Sequence, residues 1–336
     1  MATSNPEWGE RQSALAVAAH YAQRIRGRNV AITGIAPEGV GEGTALAFAS
    51  QKPANLLLMS RTRSHLEAVA NGIRNSYPDV NIHTILMDLS SQRSIHEASE
   101  EVKSLVSSLD LLVNNAACAR RLRTFTDEGI EMQFGVNHIG HFLLTRLLFP
   151  LLKTAAMKSS PGAVRVINVS SHAHMLSPVR FHDYNMMNDT VLPVEEKPRP
   201  EMPPAFAKAQ EHGYLSTIAC KSANILFTAS LQSLSHVSGV NSYAVHPGSV
   251  TSHLGREHDE DVAEAISKTS KYWKTVDEGG STTLTACLDP ILDRPCGLYL
   301  ADCQFFQCAD HAKNSGSADR LWKLSEKLTG MEFIIE

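Results

Sequence analysis

From Asn29 onward the chain alternates short apolar runs with amphipathic stretches, and that alternation limits its fold more than any other feature. The runs NVAITG, NLLLMS, NIHTILMDL, LDLLVNNA, VRVINVSS and VNSYAVHPG read as buried strands, and GLYL at 297–300 makes a seventh. Helical patterns at Gly41–Gln51, Arg63–Ser76, Ser91–Ser107, Thr126–Lys153 and Thr217–His236 fill gaps between them. Strand, helix, strand repeated in this way predicts a doubly wound α/β fold, a seven-stranded parallel sheet covered on both faces. A length of 336 residues fits one such domain.

Three segments lie outside the repeat. Residues 5–27 predict a helical extension, with Ala14–Ile25 as an alanine-rich helix; Glu7, Glu10, Arg11 and His20 interrupt it too often for a signal peptide or membrane anchor. A cytoplasmic location is the default expectation. Residues 177–213 carry six of the fifteen prolines and little periodicity. Such a stretch is a functional lid or a disordered insertion; its place beside the catalytic strand favours the first, and the wording VEEKPRPEMPP the second. Residues 253–275 form a second loop on the substrate side.

Composition excludes several function classes. A formal charge of −4 with 43 % hydrophobic residues describes a soluble domain with a sizeable core and no nucleic-acid surface. The six cysteines are scattered, without the spacing of a zinc or redox pair, and no metal site is expected. A homo-oligomer is left open.

The segment VAITGIAPEGVGEGTALAFA places Thr33 and Gly34 at the end of the first strand and Gly39, Val40 and Gly41 at the turn into the first helix. Glycines there let backbone approach a pyrophosphate, and the helix N-terminus offers free N–H groups and the positive end of its dipole. The position between a strand and a helix at the head of a βαβ series makes this a Rossmann-type dinucleotide turn. Glu38 lies inside that turn, so its carboxylate must point away from the phosphates. An NAD site needs an acidic residue after the second strand, but no Asp or Glu occurs from Gly43 to Leu66. Ser60 and Arg61 stand there instead, and a guanidinium pairs with a 2′-phosphate, which predicts NADP(H).

Five further motifs, NNAA (114–117), VNHIGHFLLT (136–145), VINVSS (166–171), KSANILF (221–227) and HPGSVTS (246–252), occur in order. With the glycine turn, they make the chain resemble the short-chain dehydrogenase/reductase family over residues 25–329. Wording such as VNHIGHF and GLYLADC is similar to its retinol-dehydrogenase-like branch, especially fungal light-inducible alcohol-dehydrogenase-like members. The resemblance implies an oxidoreductase with an Asn-Ser-Tyr-Lys tetrad. Asn137 matches the asparagine that holds a water against the lysine, Ser171 the serine that bonds the substrate oxygen, and Lys221 the lysine that holds the nicotinamide ribose. It further implies that Asp88 and Leu89 border the adenine, that Asn114 and Ala116 line the groove, and that Pro247, Gly248, Val250 and Ser252 hold the nicotinamide side. The glycine turn departs from the family's TGxxxGxG by one extra residue.

The tetrad's tyrosine position, four before the lysine, is Thr217. An aliphatic hydroxyl is far less acidic than a phenol and shorter, so Thr217 does not inherit the proton-donor role. Tyr214 lies on the same helical stripe, but roughly 10 Å from residue 221 along the axis against roughly 6 Å for the usual pair. Its phenol reaches Lys221 only if Gly213 and Tyr214 belong to the loop before the helix. His172 and His174 are the other titratable candidates, each more often a packed histidine. Two readings follow: an atypical NADP(H)-dependent reductase of a C=O or C=N group in a small molecule, such as a secondary metabolite, or a non-redox cyclase or isomerase that keeps the cofactor groove as scaffold.

Overall fold

The structure, a computed structural model, describes residues 2–206, 214–255 and 257–335, with the side chains of Tyr214 and His253 outside that description. Strands β1 (Asn29–Thr33), β2 (Asn55–Ser60), β3 (Ile82–Leu86), β4 (Leu111–Asn114), β5 (Val164–Val169), β6 (Val240–His246) and β7 (Tyr299–Ala301) are the seven expected runs. They pair in parallel in the order β3-β2-β1-β4-β5-β6-β7. The sheet gains one strand that was not expected, β8 (Gln304–Phe305), antiparallel to β7. Its cause is local: Asp302 and Cys303 both adopt positive φ, 49° and 62°, and reverse the chain in two residues without the usual Asn-Gly signature.

The central strands are buried on both faces because helices cover both. In β2, Leu56 and Leu58 belong to one core with Val17, Phe48 and Leu284, while Leu57 and Met59 belong to the other with Ile95, Phe142 and Leu148. The helices are α1 (Ala14–His20), α2 (Val40–Ala49), α3 (Arg63–Ser76), α4 (Gln92–Leu105), α5 (Gly140–Ala156), α6 (Tyr214–Ser235), α7 (Glu260–Ser267), α8 (Val276–Leu288) and α9 (Ser315–Thr329). None among the described residues is long and apolar enough to cross a membrane. Helix α1 ends earlier than expected, continuing as a 3-10 turn over Ala22–Arg24, and its Ala14, Val17 and Ala18 are fully buried.

The segment Thr126–Lys153 is not one helix. Its first residues form a turn closed by a bridge between Phe125 and Glu131, and a short helix, Met132–Phe134, runs through a π turn at Gly135–Ile139 into α5. Glu131 sets the start, accepting the N–H groups of Gln133 (3.1 Å) and Phe134 (2.9 Å). In the proline-rich insertion, among the described residues 177–206, the two ends and Glu196 pack on the body while most of 187–201 is exposed. Glu196, 2 % exposed, accepts from His182 (2.8 Å) and Arg320 (2.9 Å), and Met202 and Phe206 share a cluster with Leu215, Ile218 and Val262 of α7. The insertion and the 253–275 loop thus meet beside the first turns of α6.

Candidate active site

Strand order reverses between β1 and β4, and the crevice at the carboxyl ends of these strands is where an open α/β sheet places its ligand. Gly34 there has φ 76°, and a Cβ on it would lie 2.5 Å from the Cα of Ala116; one on Gly41 would meet the Gly34 carbonyl oxygen at 2.7 Å. Side chains at either position would close the turn that the N-terminus of α2 faces. The extra residue in the turn is accommodated by Glu38, exposed and left-handed at φ 57°, whose N–H donates to Glu42 at 2.7 Å.

Thr33 ties this turn to the β4 loop. Its Oγ1 accepts the N–H groups of Asn115 (3.0 Å) and Ala116 (2.9 Å) and lies 2.9 Å from His141 Nε2. Because His141 Nδ1 faces only the Asn137 carbonyl, at 3.2 Å, Nδ1 carries the proton and Nε2 accepts from Thr33. Burial pushes this imidazole down to about 4, so it stays neutral. Asn115, not singled out from the sequence although it lies in the NNAA motif, donates to the Thr33 carbonyl at 2.8 Å. Asn114 is instead turned into the sheet, 1 % exposed, its amide donating to Thr145 (3.0 Å) and Asn168 (2.8 Å). Ala116 is half-buried at the rim.

At the end of β3, where the adenine is expected, Asp88 is half-buried and accepts from the backbone and hydroxyl of Ser90 at 2.9 and 2.7 Å, with buried Leu89 following it. Ser60 closes β2, and Arg61 beyond it is exposed, without a hydrogen bond or ion pair among the described residues. On the other side, Pro247, Gly248 and Val250 are half-buried and Ser252 exposed. Their loop is held by residue 274: Lys274 N donates to Ser249 O (2.8 Å) and Thr251 N to Lys274 O (3.2 Å). The Lys274 ammonium, 3 % exposed, pairs with Asp302 at 2.6 Å.

Three tetrad positions gather around the ends of β5 and α6. Lys221, 5 % exposed, donates to Val169 O at 3.3 Å, and burial pushes its ammonium pKa down. Ser170 Oγ donates to the Lys221 carbonyl at 2.7 Å, locking strand to helix. Ser171 caps the 3-10 turn His172–Leu176, accepting the N–H of Ala173 at 3.2 Å. Asn137 lies in the π turn, fully buried, its amide exchanging two bonds with the Cys118 backbone (2.7 and 3.0 Å). Burial pushes the Cys118 thiol up to about 12, which makes it a poor nucleophile.

Thr217 takes part in a different network. Its hydroxyl donates to Gln133 Oε1, which also accepts the N–H of Arg120 at 3.1 Å. Gln133 Nε2 donates to Glu131 (3.2 Å), and so does Ser216 Oγ. Glu131 is fully buried, and that burial raises its carboxyl pKa. The threonine proton is therefore committed to a side chain 84 residues away. No local pattern in the sequence announces this group; Glu131 and Gln133 inside the apolar GIEMQFGV were the only available hint.

Tyr214 begins α6 and so stands on the helix rather than in the loop before it, which leaves the axial separation from Lys221 at roughly 10 Å. Gly213 lies outside the described residues. His174 donates from Nδ1 to Ser171 O (2.6 Å) and accepts the Ala309 N–H at Nε2 (3.1 Å), and burial pushes it down to about 4. It is a packed structural histidine. His172 stacks on His246 with ring centroids 4.0 Å apart, and burial lowers both. Beside Gln133, a cavity of about 690 Å³ opens between the β4 loop and the 253–275 loop, with Arg120, Leu122, Met132 and His258 in its wall. Two ion pairs cross it, Arg120 to Glu257 and Arg121 to Asp259, each 2.7 Å.

Comparison with known proteins decides the family. Residues 28–185 match the model of the short chain dehydrogenase family. Retinol dehydrogenase 12 of Mus musculus is 32 % identical over 310 residues, covering 92 % of this chain and 89 % of that protein. The chain belongs to the short-chain dehydrogenase family. It is an enzyme of the retinol-dehydrogenase-like branch. The Fusarium equiseti protein named oxidoreductase fscI is 36 % identical over 237 residues, 69 % of this chain and 91 % of its own length. The fold is that of the NADPH-bound carbonyl reductase from chicken fatty liver, with a TM-score of 0.59 at 23 % identity over 84 % of this chain and 100 % of that one.

Proposed function

We propose that this dehydrogenase-family enzyme is an NADP(H)-dependent reductase of a C=O or C=N group in a small, secondary-metabolite-like molecule, working without a phenolic proton donor. The observation that carries the reading is that Lys221 is anchored on the end of β5, through its bond to Val169 O and the bond to its own carbonyl from Ser170, next to Ser171 in the chain, while the Thr217 proton is held by Gln133.

The glycine turn fits a dinucleotide, since Gly34 and Gly41 let the turn pack tightly against the β4 loop where α2 begins, at a helix N-terminus that can receive a phosphate. Thr33 and Asn115 hold that turn against the β4 loop. Arg61, unpaired and exposed, would meet a 2′-phosphate, and no carboxylate from Gly43 to Leu66 opposes it. When bound, NADPH supplies the hydride. Among the described residues Ser171 Oγ accepts the Ala173 N–H and donates no hydrogen bond, so its proton is available to hydrogen-bond a substrate oxygen or nitrogen. Lys221 keeps a cation close to the ribose position, in an enclosed setting that strengthens its field. An iminium substrate suits this arrangement, because hydride alone neutralises it and no proton need be delivered.

Incubating the protein with NADPH and a panel of cyclic imines and ketones, with product mass spectrometry, tests the reading. The expected product carries the added mass of a hydride, plus a proton where the substrate was neutral. NADPH should bind more tightly than NADH by calorimetry, with Arg61→Ala abolishing the preference. Equal affinity for the two cofactors in the wild type would remove the NADP argument. A product formed without NADPH consumption would replace reduction by the non-redox reading.

A further inference from the structure

A second cavity, of about 470 Å³, lies in the proline-rich insertion and shares no residue with the crevice or the tetrad. Its volume is that of a small-molecule site. Arg180, Lys197 and Arg199 supply its charges, Asn188 and Thr190 its uncharged polar groups, and Val191 and Leu192 its apolar edge; no carboxylate lines it.

The three cations differ in a useful way. Arg180 is only 4 % exposed and built in: its Nη2 donates to Asp183 (2.6 Å) and to Asn188 (2.9 Å). Its Nε is buried without a hydrogen-bond partner. A buried donor left unpaired beside a cavity is the sort of group a ligand or water completes. Lys197 and Arg199 are exposed and, among the described residues, make no salt bridge, although Arg199 lies within the field of Asp310. Asp183 and Glu196 offset Arg180, and Asp310 acts on Arg199 from outside the lining, so the positive charge of the cavity rests on Lys197 and in part on Arg199. Val191 is 93 % exposed at its edge, an apolar side chain left in water on the rim that Lys197 and Arg199 share. The floor is fixed: Arg199 N donates to Leu176 O at 2.9 Å, at the end of the turn that Ser171 caps.

We propose that this cavity is a binding site for a small organic anion, a phosphate or carboxylate head with a short apolar tail. The head sits between Lys197 and Arg199 over the Arg180 guanidinium, and the tail covers Val191 and Leu192. Planar guanidinium forks suit such oxyanions, and the apolar edge separates this ligand from a bare ion.

Isothermal titration of the full chain with butyl phosphate, hexanoate, inorganic phosphate and butan-1-ol tests the assignment at low ionic strength, where exposed charges are least screened. At least one of the two amphipathic anions is expected to bind more tightly than inorganic phosphate, with no binding of butan-1-ol. The double variant Lys197→Gln with Arg199→Gln, both exposed and so harmless to folding, should weaken that anion by about tenfold or more. Arg61→Ala should leave it unchanged, which separates this cavity from the proposed cofactor site. Binding unaltered in the double variant, binding abolished by Arg61→Ala, or no heat with either anion would each overturn the proposal.

Discussion

Acid should destabilise this protein steeply, and three buried histidines set the slope. His138, His141 and His174 are 1 %, 2 % and 0 % exposed, and burial pushes them down to about 3, 4 and 4. Hydrogen bonding explains why none accepts a proton readily. His138 Nε2 donates to Ser325 Oγ (2.8 Å), whose own proton goes to Leu321 O, and its Nδ1 is buried with no acceptor for a second proton. Protonating His141 or His174 would break the bond that Nε2 accepts from Thr33 or from the Ala309 N–H. Unfolded histidine titrates near 6.5, so between that value and about 4 the unfolded chain holds more protons than the native one and stability falls as pH falls. At pH 5 each such histidine costs about 2 kcal/mol, about 6 kcal/mol for the three, a large part of an ordinary domain's stability. His138→Phe isolates one of them, since rings of Phe134, Phe142 and Phe227 already surround the site at 5.4, 6.4 and 5.8 Å. It gives up the Ser325 bond, about 1 kcal/mol, and removes one titrating group. The variant should therefore be about 1 kcal/mol less stable than wild type at pH 8 and about 1 kcal/mol more stable at pH 5. Urea unfolding followed by circular dichroism at several pH values measures the difference. A difference that does not change with pH would refute the reasoning.

Thr217→Tyr should raise reduction of simple ketones by about 10²-fold or more, because it returns a phenol to the position four before Lys221; steady-state kinetics with NADPH would show it. Arg165, fully buried, donates to the carbonyls of Gly162, Ala286 and Asp289 and pairs with Asp293 at 2.5 Å, so Arg165→Met should cost about 3–5 kcal/mol in urea unfolding. Arg320→Ala removes a cation from buried Glu196, and limited proteolysis within 177–206 should quicken while the rest of the chain stays resistant.

The sheet was legible because its strands are buried on both faces and read as unbroken apolar runs, as NLLLMS does for β2. Elements that owe their form to something other than periodicity were not. Helix α8 has glycine, serine and threonine all round and is buried from Gly279 to its end, so it shows no amphipathic stripe; its one signal is the Thr275 and Glu278 capping box. β8 depends on two residues with positive φ that are not glycine. The short helix Met132–Phe134, which leads through the π turn into α5, depends on Glu131 capping it from its own side chain. The site divides in the same way. Motif position locates Thr33, Ser171 and Lys221, but not that Asn114, the last residue of β4, turns inward while Asn115, the first of the loop, holds the turn.

Thr217 is the clearest case of what one position cannot reveal. Read alone, it is a tyrosine lost. In the structure its hydroxyl, Ser216, Glu131, Gln133 and the Arg120 backbone form one connected polar group between α6 and the segment before α5. A buried network of this kind is costly when half satisfied, because each orphaned partner keeps its full desolvation penalty. The threonine is thus a stabilising member of its surroundings, and a phenol placed there has to leave Gln133 with one donor fewer. Thr217→Val makes the same deletion without adding an acid. If the tyrosine variant gains ketone activity and the valine variant does not, with both losing similar stability, the hydroxyl serves packing and the missing chemistry is the phenol's. Equal activity in the two would place the proton source elsewhere in the crevice.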